Sequence, residues 1–228
     1  KLRLVQAGIA PASLLDAYSD ERVAAADENI LNSTRSTDFI TPKSEMSRVF
    51  RDAVLDLART QPFARKLVNS GRLSVPTHVT SSPRNTADVD TWAGWMAPGA
   101  PADDAPVAQD GVAGWLLPQL GGRFQLLVYV DDPATWRAPA LQTHGGLPAV
   151  ELIALTAGAA PVPGVRSLHD VRGRFAQRYD ARPGSAWLLR PDQHVAARWR
   201  RPDAGQVQAA LRRALGLPSA QTMSQAVE

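Results

Sequence analysis

The four histidines are the side chains best suited to acid–base chemistry near neutral pH or to binding a transition metal. They lie at least 25 positions apart along the chain, as His78, His144, His169 and His194. No His-x-His, His-Glu-x-x-His or facial-triad spacing results, and no cysteine is present to complete a metal site. The spacing therefore predicts surface or capping histidines and no bound metal.

The oxygen-bearing side chains also lack the spacing that calcium binding or nucleophilic catalysis requires. Asp103, Asp104 and Asp110 could bind a hard cation, but they do not form the alternating ligand series and closing glutamate of an EF-hand loop. No Gly-x-Ser-x-Gly elbow surrounds any of the serines considered, which are Ser13, Ser74 and Ser185. We expect a solvated acidic loop and no serine nucleophile.

Glycines that could hold the phosphates of a dinucleotide are in the wrong place. Gly121-Gly122 precede a predicted strand, whereas a phosphate-binding glycine turn follows a strand and begins a helix. Neither Gly-x-Gly-x-x-Gly nor Gly-x-x-x-x-Gly-Lys-Ser/Thr occurs. The sequence thus predicts no catalytic, no cofactor-binding and no metal-binding residue in this chain.

The composition is that of a globular protein with a core. The chain has 228 residues, of which 44% are hydrophobic and 21% are charged. The lack of cysteine removes disulfide, thiolate–metal and cysteine-nucleophile chemistry. No apolar run reaches the roughly 20 residues of a transmembrane helix, and no signal peptide is recognisable. These features predict a cytoplasmic protein without a membrane partner.

Positive charge is concentrated near the C-terminal end. Residues 166–213 contain 11 arginines and 4 aspartates. Such a stretch could bind phosphate backbones, or it could reflect the coding bias that gives the chain 22 arginines and only 3 lysines. The neighbouring aromatic residues occupy predicted core positions, so we expect no nucleic-acid partner.

Helical spacing of apolar residues dominates residues 1–73, which we assign to a helical segment. Lys1–Val5 reads as helical, and a second helix is predicted from Ser13 to about Thr37. A third should follow Thr41-Pro42, with an apolar stripe formed by Met46, Val49, Phe50, Ala53, Val54 and Leu57. A short fourth helix follows Pro62 and should end at Asn69-Ser70-Gly71. Because the chain starts inside a helix, we expect it to be a piece of a longer polypeptide.

Residues 74–118 are predicted to be a proline-rich, irregular connector. Six prolines interrupt any regular pattern, and Trp92, Trp95 and Trp115 carry too much apolar area to remain in water. We expect these tryptophans to anchor the connector to a neighbouring surface.

Residues 119–217 have the pattern of an α/β domain, followed by a frayed tail over residues 218–228. Strands are predicted at Phe124–Val130, Val150–Ala157, Ala186–Leu189 and Val195–Trp199, the last two forming an antiparallel hairpin. Helices are predicted at Leu168–Tyr179 and after Pro202-Asp203, the latter ending at Gly216. The order β-α-β-α-β-β-α predicts a thioredoxin-like domain that lacks the Cys-x-x-Cys motif.

Three blocks of sequence resemble the C-terminal part of the FAD-dependent aromatic hydroxylases, the class A flavoprotein monooxygenases acting on phenols and polyketides. The first runs from Lys1-Leu2 through Leu14-Leu15-Asp16-Ala17-Tyr18 to Glu21-Arg22, and the second from Trp115 to Tyr129. The third, Leu188-Leu189-Arg190-Pro191-Asp192-Gln193-His194-Val195-Ala196-Ala197-Arg198, is similar to the family's Arg-Pro-Asp-Gly hairpin. Gln193 stands where the family usually has glycine, which predicts strain or a different turn there.

The resemblance implies a C-terminal fragment whose parent uses FAD and NAD(P)H to hydroxylate phenolic or polyketide substrates. The family's flavin-binding motifs all precede the matching blocks, so the fragment would be structural and inactive alone. Its implied partner is the missing N-terminal FAD- and substrate-binding region, with a homodimer as a second. The alternative is a stand-alone thioredoxin-like interaction module that uses its arginine-rich face.

Overall fold

The computed structural model describes residues 1–68, 76–139 and 146–218. The chain divides into two compact units, one of Glu21–Thr77 and one of Lys1–Asp20 together with His78–Glu228. The first unit is helical, and the second contains a seven-stranded sheet. The domain limits that the sequence suggested, after residues 73, 118 and 217, remain predictions.

Helices occupy most of the first 68 residues, as the apolar spacing predicted. They are α1 (Leu2–Gln6), α2 (Leu14–Ile40), α3 (Glu45–Thr60) and α4 (Pro62–Val68). Helix α3 begins after Ser44, whose hydroxyl accepts a hydrogen bond from the Ser47 N–H at 3.1 Å, and not directly after Pro42. The predicted stop at Asn69-Ser70-Gly71 lies outside the described residues.

The sheet is mixed and lies in the second unit. Its strands are β1 (Pro106–Gln109), β2 (Val112–Trp115), β3 (Phe124–Val130), β4 (Val150–Thr156), β5 (Arg166–Asp170), β6 (Ala186–Leu189) and β7 (Val195–Trp199), in the order β2-β1-β5-β4-β3-β6-β7. Strands β3, β4 and β5 are parallel, and the other pairs are antiparallel. Helices α5 (Arg174–Tyr179) and α6 (Ala204–Leu215) accompany them, and a 3₁₀ turn covers Leu117–Gln119.

Strand β3 is apolar at nearly every position because both of its faces are covered. Leu126 and Val128 point into a cluster that includes Val207 and Leu211 of α6. Leu127 points into a second cluster, built around the aromatic side chains of α5. A strand in the middle of a two-faced sheet is expected to show this continuous apolar pattern. The α/β class predicted from the sequence is confirmed.

The helix predicted at Leu168–Tyr179 is wrong over its first half. Arg166–Asp170 form strand β5, which pairs with β4 and β1, and only Arg174–Tyr179 are helical. Leu168 is fully buried in the sheet. Asp170 accepts hydrogen bonds from the N–H groups of Phe175 at 3.2 Å and Ala176 at 2.9 Å, so this carboxylate ends the strand and begins the helix.

The expectation of irregular structure over residues 74–118 fails between residues 106 and 115. Strands β1 and β2 form a hairpin there, with Gln109 opposite Val112 and only Asp110 and Gly111 between them. Both turn residues have positive φ angles, 50° and 79°. An Asp-Gly pair between short apolar runs is a strong signal for this hairpin turn, and the sequence interpretation missed it.

Residues 76–105, which we call the strap, contain no helix or strand beyond an isolated bridge from Pro101 to His194. The strap runs along β7, the last strand of the sheet. The Gly99 N–H donates to the Val195 carbonyl at 2.7 Å, the Val195 N–H to the Ala100 carbonyl at 2.8 Å, and the Thr86 N–H to the Ala196 carbonyl at 2.8 Å. The strap therefore covers backbone groups of an edge strand.

The connection from β3 to β4 also differs from the predicted order. That order placed a helix between the two strands, but the described residues of this connection, 131–139 and 146–149, form none.

In the described ranges, every helix is either too short or too polar to span a lipid bilayer.

Candidate functional site

The histidines occupy separate and mostly structural positions. His78 is exposed, and His169 and His194 are half-buried, while His144 lies outside the described residues. The ring of His169 is 3.4 Å from the Thr156 carbonyl, and that of His194 is 3.1 Å from the Asp192 carbonyl. Within the described ranges, no three His, Asp or Glu side chains lie close enough together to hold a metal ion.

The aspartates considered for calcium binding serve as partners for neighbouring groups. Asp103 forms an ion pair with Arg178 at 3.3 Å, and the Asp104 carboxylate accepts from the N–H groups of Ala105 and Leu117 at 2.9 and 3.0 Å. Asp110 is a residue of the β1–β2 turn. Their carboxylates are thus engaged within the fold and do not converge on one point.

Ser185, the fully buried serine of the three considered, has a capping role. Its hydroxyl accepts a hydrogen bond from the Arg182 N–H at 3.1 Å. Ser13 immediately precedes α2, and Ser74 lies outside the described residues. None of the described serines considered lies next to a histidine that could act as its base.

The β6–β7 turn contains the third block of the resemblance, and its geometry is specific. Arg190 is buried, and its guanidinium contacts the Asp192 carboxylate at 3.0 and 2.6 Å. Desolvation alone would raise the pKa of the Asp192 carboxyl, but hydrogen bonds from His194 and Arg190 and the charge of Arg190 hold it well below its ordinary value. Asp192 therefore remains a carboxylate that fixes the turn.

Gln193 has the left-handed conformation that its place in the family pattern predicted. Its φ is 64°, a value that glycine adopts at least cost. Its side-chain amide donates hydrogen bonds to the carbonyls of Leu117 and Leu120 at 3.2 and 3.1 Å. The side chain thus joins the β6–β7 turn to the segment between β2 and β3, a contact that a glycine could not make.

Trp92 is the anchor that fixes the strap to the sheet. Its ring meets that of Trp187 edge-on at 5.6 Å, and the guanidinium groups of Arg198 and Arg200 lie 4.7 and 3.7 Å from the Trp92 ring centroid. The anchoring expected for this residue is confirmed. Trp95 and Trp115 are 58% and 54% exposed, so they contact no such surface within this chain, and their anchoring stays a prediction.

Charged pairs reinforce this anchor. Arg198 makes a bidentate contact with Asp88, with nitrogen–oxygen distances of 3.0 and 2.7 Å, and Arg200 contacts Asp180. Desolvation would raise the pKa of Asp180, but the hydrogen bond from the Ala93 N–H and the Arg200 guanidinium lower it. The sequence interpretation missed these pairs. No local pattern links these partners, which lie 110 and 20 positions apart in the sequence.

The arginine-rich stretch, with 11 arginines, is partly neutralised by carboxylates of the fold. Five of its arginines contact carboxylates, in the pairs Arg166–Glu151, Arg178–Asp103, Arg190–Asp192, Arg198–Asp88 and Arg200–Asp180. Three of these acidic partners lie before residue 166 in the sequence, so the local count of charges overstates the field at the surface.

The helical unit exposes an apolar face. Along α3, Met46, Val49 and Phe50 are 77%, 60% and 62% exposed, whereas Val54 is buried. On α4, Phe63 and Leu67 are also exposed. Exposed apolar side chains that recur three and four positions apart on a helix lie on one side of it, and such a group is typical of an interaction site. We call this surface the α3–α4 face.

The comparisons with known proteins agree with this arrangement. Residues 109–214 match the family model described as the HcaD C-terminal domain. The solved structure of the flavin-dependent monooxygenase PieE, in complex with FAD and substrate, is similar to 95% of the chain, with a TM-score of 0.56 and 21% identity. The resemblance is confirmed. Over more than nine-tenths of its length, this chain shares its fold with part of a flavin-dependent monooxygenase.

Two further solved structures have the same fold. Aklavinone-11 hydroxylase, in a ternary complex with FAD and aklavinone, is similar over 94% of the chain with a TM-score of 0.60 and 23% identity. The rebeccamycin biosynthetic enzyme RebC with reduced flavin is similar over 94%, with a TM-score of 0.54 and 18% identity. The chain spans 42%, 37% and 38% of PieE, the hydroxylase and RebC, respectively. No curated protein sequence matches it.

The described part of this chain does not fit the pyrophosphate of FAD. A dinucleotide pyrophosphate binds where a helix N-terminus follows a strand, and here α5 follows β5 and α6 follows β7. The Asp170 carboxylate already accepts from the first turn of α5, and the Asp203 carboxylate accepts from the Gln206 N–H at the start of α6 at 2.8 Å. A carboxylate at each helix start would repel a phosphate.

Proposed function

We propose that the chain is the C-terminal part of an FAD- and NAD(P)H-dependent monooxygenase that hydroxylates phenolic or polyketide substrates. The observation that carries the proposal is the fold shared with PieE and aklavinone-11 hydroxylase over more than nine-tenths of this chain. Because the chain spans about two fifths of their length, flavin binding and hydroxylation are assigned to the parent protein and not to these residues.

Within that parent, the role of this segment is structural. The sheet and the buried aromatic cluster form a core of their own, and the side chains of His169, His194 and Ser185 contact backbone groups of the fold. The order β4-β3-β6-β7, with β3 parallel to β4 and antiparallel to β6, supports a thioredoxin-like core without redox cysteines. Strands β5, β1 and β2 extend this core on one side.

The α3–α4 face supports the first proposed partner, which is the FAD- and substrate-binding region of the parent. Side chains such as Met46 and Phe63 are 77% and 61% exposed in this chain, and burying them against a neighbouring surface would remove apolar area from water. The chain covers 42% and 37% of PieE and aklavinone-11 hydroxylase, and we assign the covering surface to the remaining part of a parent of similar length.

A homodimer is the second proposed partner. Strand β2 is the edge strand at the opposite end of the sheet from β7. Its residues Val112 and Trp115 are 72% and 54% exposed. An edge strand with exposed apolar side chains can pair with an identical strand. Sedimentation of the complete parent protein tests this directly, and a monomeric parent would exclude the dimer.

FAD binding distinguishes the structural role from a catalytic one. We expect the purified chain to remain colourless after incubation with FAD and gel filtration, because its helix starts are blocked by Asp170 and Asp203. The parent containing the upstream region should be yellow and should oxidise NADH or NADPH in the presence of a phenolic substrate. A yellow isolated chain would contradict the structural role, and a colourless parent would contradict the flavoenzyme assignment.

The stand-alone interaction module is the alternative, and the pairing of its arginines with internal carboxylates does not favour it. The reading frame upstream of Lys1 separates the two hypotheses. A continuous frame that encodes a glycine-rich dinucleotide motif supports the hydroxylase, whereas a start codon directly before Lys1 supports the module.

A further inference from the structure

We propose that a cavity between the strap and α6 binds an organic anion, through a phosphate or carboxylate head group attached to an apolar body. The inference goes beyond the proposed structural role and does not depend on flavin chemistry. The cavity has a volume of about 470 Å³ and lies in the unit that contains the sheet. Its walls come from the strap at residues 83–89, from Trp199 of β7 and from one face of α6.

The charged residues that line this cavity are all arginines, namely Arg84, Arg212 and Arg213. Arg84 packs so closely on the end of α6 that a Cβ at Gly216 would lie 2.8 Å from its Nη1. Its Nη2 is 3.4 Å from the Ser13 carbonyl, and it forms no ion pair with another described residue. The guanidinium groups of Arg84 and Arg213 place positive charge at the cavity wall, and the described lining residues include no carboxylate.

Two buried polar atoms in the lining lack a hydrogen-bond partner among the described residues. They are Nε of Arg84 and Oγ1 of Thr86. Buried polar atoms in proteins are nearly always hydrogen-bonded, so such a pair calls for a partner. The guanidinium nitrogen can only donate and the hydroxyl can donate, so each of them calls for an acceptor oxygen. Phosphate and carboxylate oxygens are acceptors of this kind.

Apart from Gln206, the rest of the described lining is apolar, and this argues for an organic anion over a bare inorganic one. Pro83, Val89, Trp199, Ala209 and Leu217 contribute to the walls. Ligand cavities typically combine such walls with a few polar groups that fix orientation. An aromatic or short aliphatic body would bury its surface there while its head group meets the arginines.

Calorimetric titration of the complete chain tests this site with four probes. Phenyl phosphate and benzoate carry both features, inorganic phosphate carries only the head group, and benzyl alcohol carries only the body. We expect one phenyl phosphate or benzoate per chain with a Kd below about 1 mM, and at least ~10-fold weaker binding of the other two probes. The comparison of phenyl phosphate with benzoate identifies the preferred head group.

Substitutions in the lining test whether the anion binds in this cavity. Arg84→Gln and Arg213→Gln should each weaken binding about 10-fold, and Thr86→Val by about 5-fold, since each removes a donor to the anion. Arg172→Gln is the matched control, because Arg172 is exposed and lies outside the lining. If Arg84→Gln fails to fold, the loss of binding in Arg213→Gln and Thr86→Val tests the proposal instead. Absence of saturable binding at about 10 mM, equal binding of inorganic phosphate, or equal losses in the control would overturn the proposal.

Discussion

At the scale of single residues, the β6–β7 turn shows two side chains with opposite energetic roles. Gln193 adopts a backbone conformation that costs about 1 kcal/mol for a residue with a Cβ. Its side-chain amide offsets part of that strain by donating hydrogen bonds to two carbonyls in the β2–β3 connection. Asp192 neutralises a buried arginine in the same turn. The turn is therefore maintained by side chains where related hairpins use glycine.

Substitution of Gln193 separates the strain from the hydrogen bonds. Gln193→Ala keeps the left-handed strain and loses both bonds, so it should lower the free energy of unfolding by about 1–2 kcal/mol. Gln193→Gly loses the same bonds but relieves the strain, so it should be about 1 kcal/mol more stable than Gln193→Ala. Urea denaturation measures both. A glycine variant more stable than the native chain would show that the two bonds contribute less than the backbone strain costs.

Acidification tests Asp192. Because the folded-state pKa of Asp192 is lowered, its contribution to stability is complete above the unfolded-state pKa of about 3.9 and is lost as the pH falls below that value. Asp192→Asn should therefore be less stable than the native chain at pH 7, and the difference should shrink between pH 5 and pH 2. Denaturation curves at several pH values give the comparison. A difference that stays constant with pH would refute the role of the charge.

At the scale of elements, the strap is fixed to β7 by backbone hydrogen bonds and by Trp92. The ring of Trp92 lies against Trp187 and beside two arginines whose charges are balanced by Asp88 and Asp180. A segment without regular structure is thus held by one aromatic anchor and two ion pairs. The edge of the sheet is covered as a consequence, which protects it from pairing with another chain.

Truncation of two tryptophans compares anchored with exposed positions in the strap. Trp92→Ala removes the contact with Trp187 and both cation–π contacts, so we expect a loss of about 3 kcal/mol. Trp95→Ala is the matched control in the same strap, and at 58% exposure it should change stability by less than about 0.5 kcal/mol. Thermal denaturation of both variants provides the measurement. Equal losses would mean that Trp92 does not anchor the strap.

At the scale of the whole molecule, the chain has a complete sheet unit and a helical unit with an exposed apolar face. The first buries its aromatic and aliphatic residues on both sides of β3. The second leaves large side chains of α3 and α4 in solvent. This contrast is expected of a segment whose sheet is self-sufficient and whose helices serve to contact another region.

Self-association of the isolated chain follows from that exposure. We expect Met46→Ser combined with Phe50→Ser to raise the monomeric fraction in sedimentation velocity, because both side chains are more than three-fifths exposed on the α3–α4 face. Stability should change little, since neither side chain is buried. Val171→Ser removes an exposed apolar side chain of the sheet unit and serves as the control. An unchanged sedimentation profile for the double variant would contradict the role of this face.

The sequence by itself determined the helices of the first 68 residues, the strands β3, β4, β6 and β7, and the family resemblance. Each depends on local information: apolar periodicity, the Asp203 and Gly216 caps of α6, and the turn residues around Gln193. Strand β5 could not be read in this way, since the pairing of Leu168 between β4 and β1 overrides local preference. The Asp110-Gly111 pair is a local signal for a hairpin turn, but the interpretation overlooked it because the surrounding stretch is rich in proline.

Only the tertiary structure decided which charges and aromatic residues meet. Arg198 and Asp88 are 110 positions apart, and no local pattern fixes such a pair. The same holds for Arg84, which reaches the end of α6 and lines a cavity with Arg213. Long-range contacts of this kind depend on how the strap crosses the sheet, because the chain must close large loops before these side chains can interact.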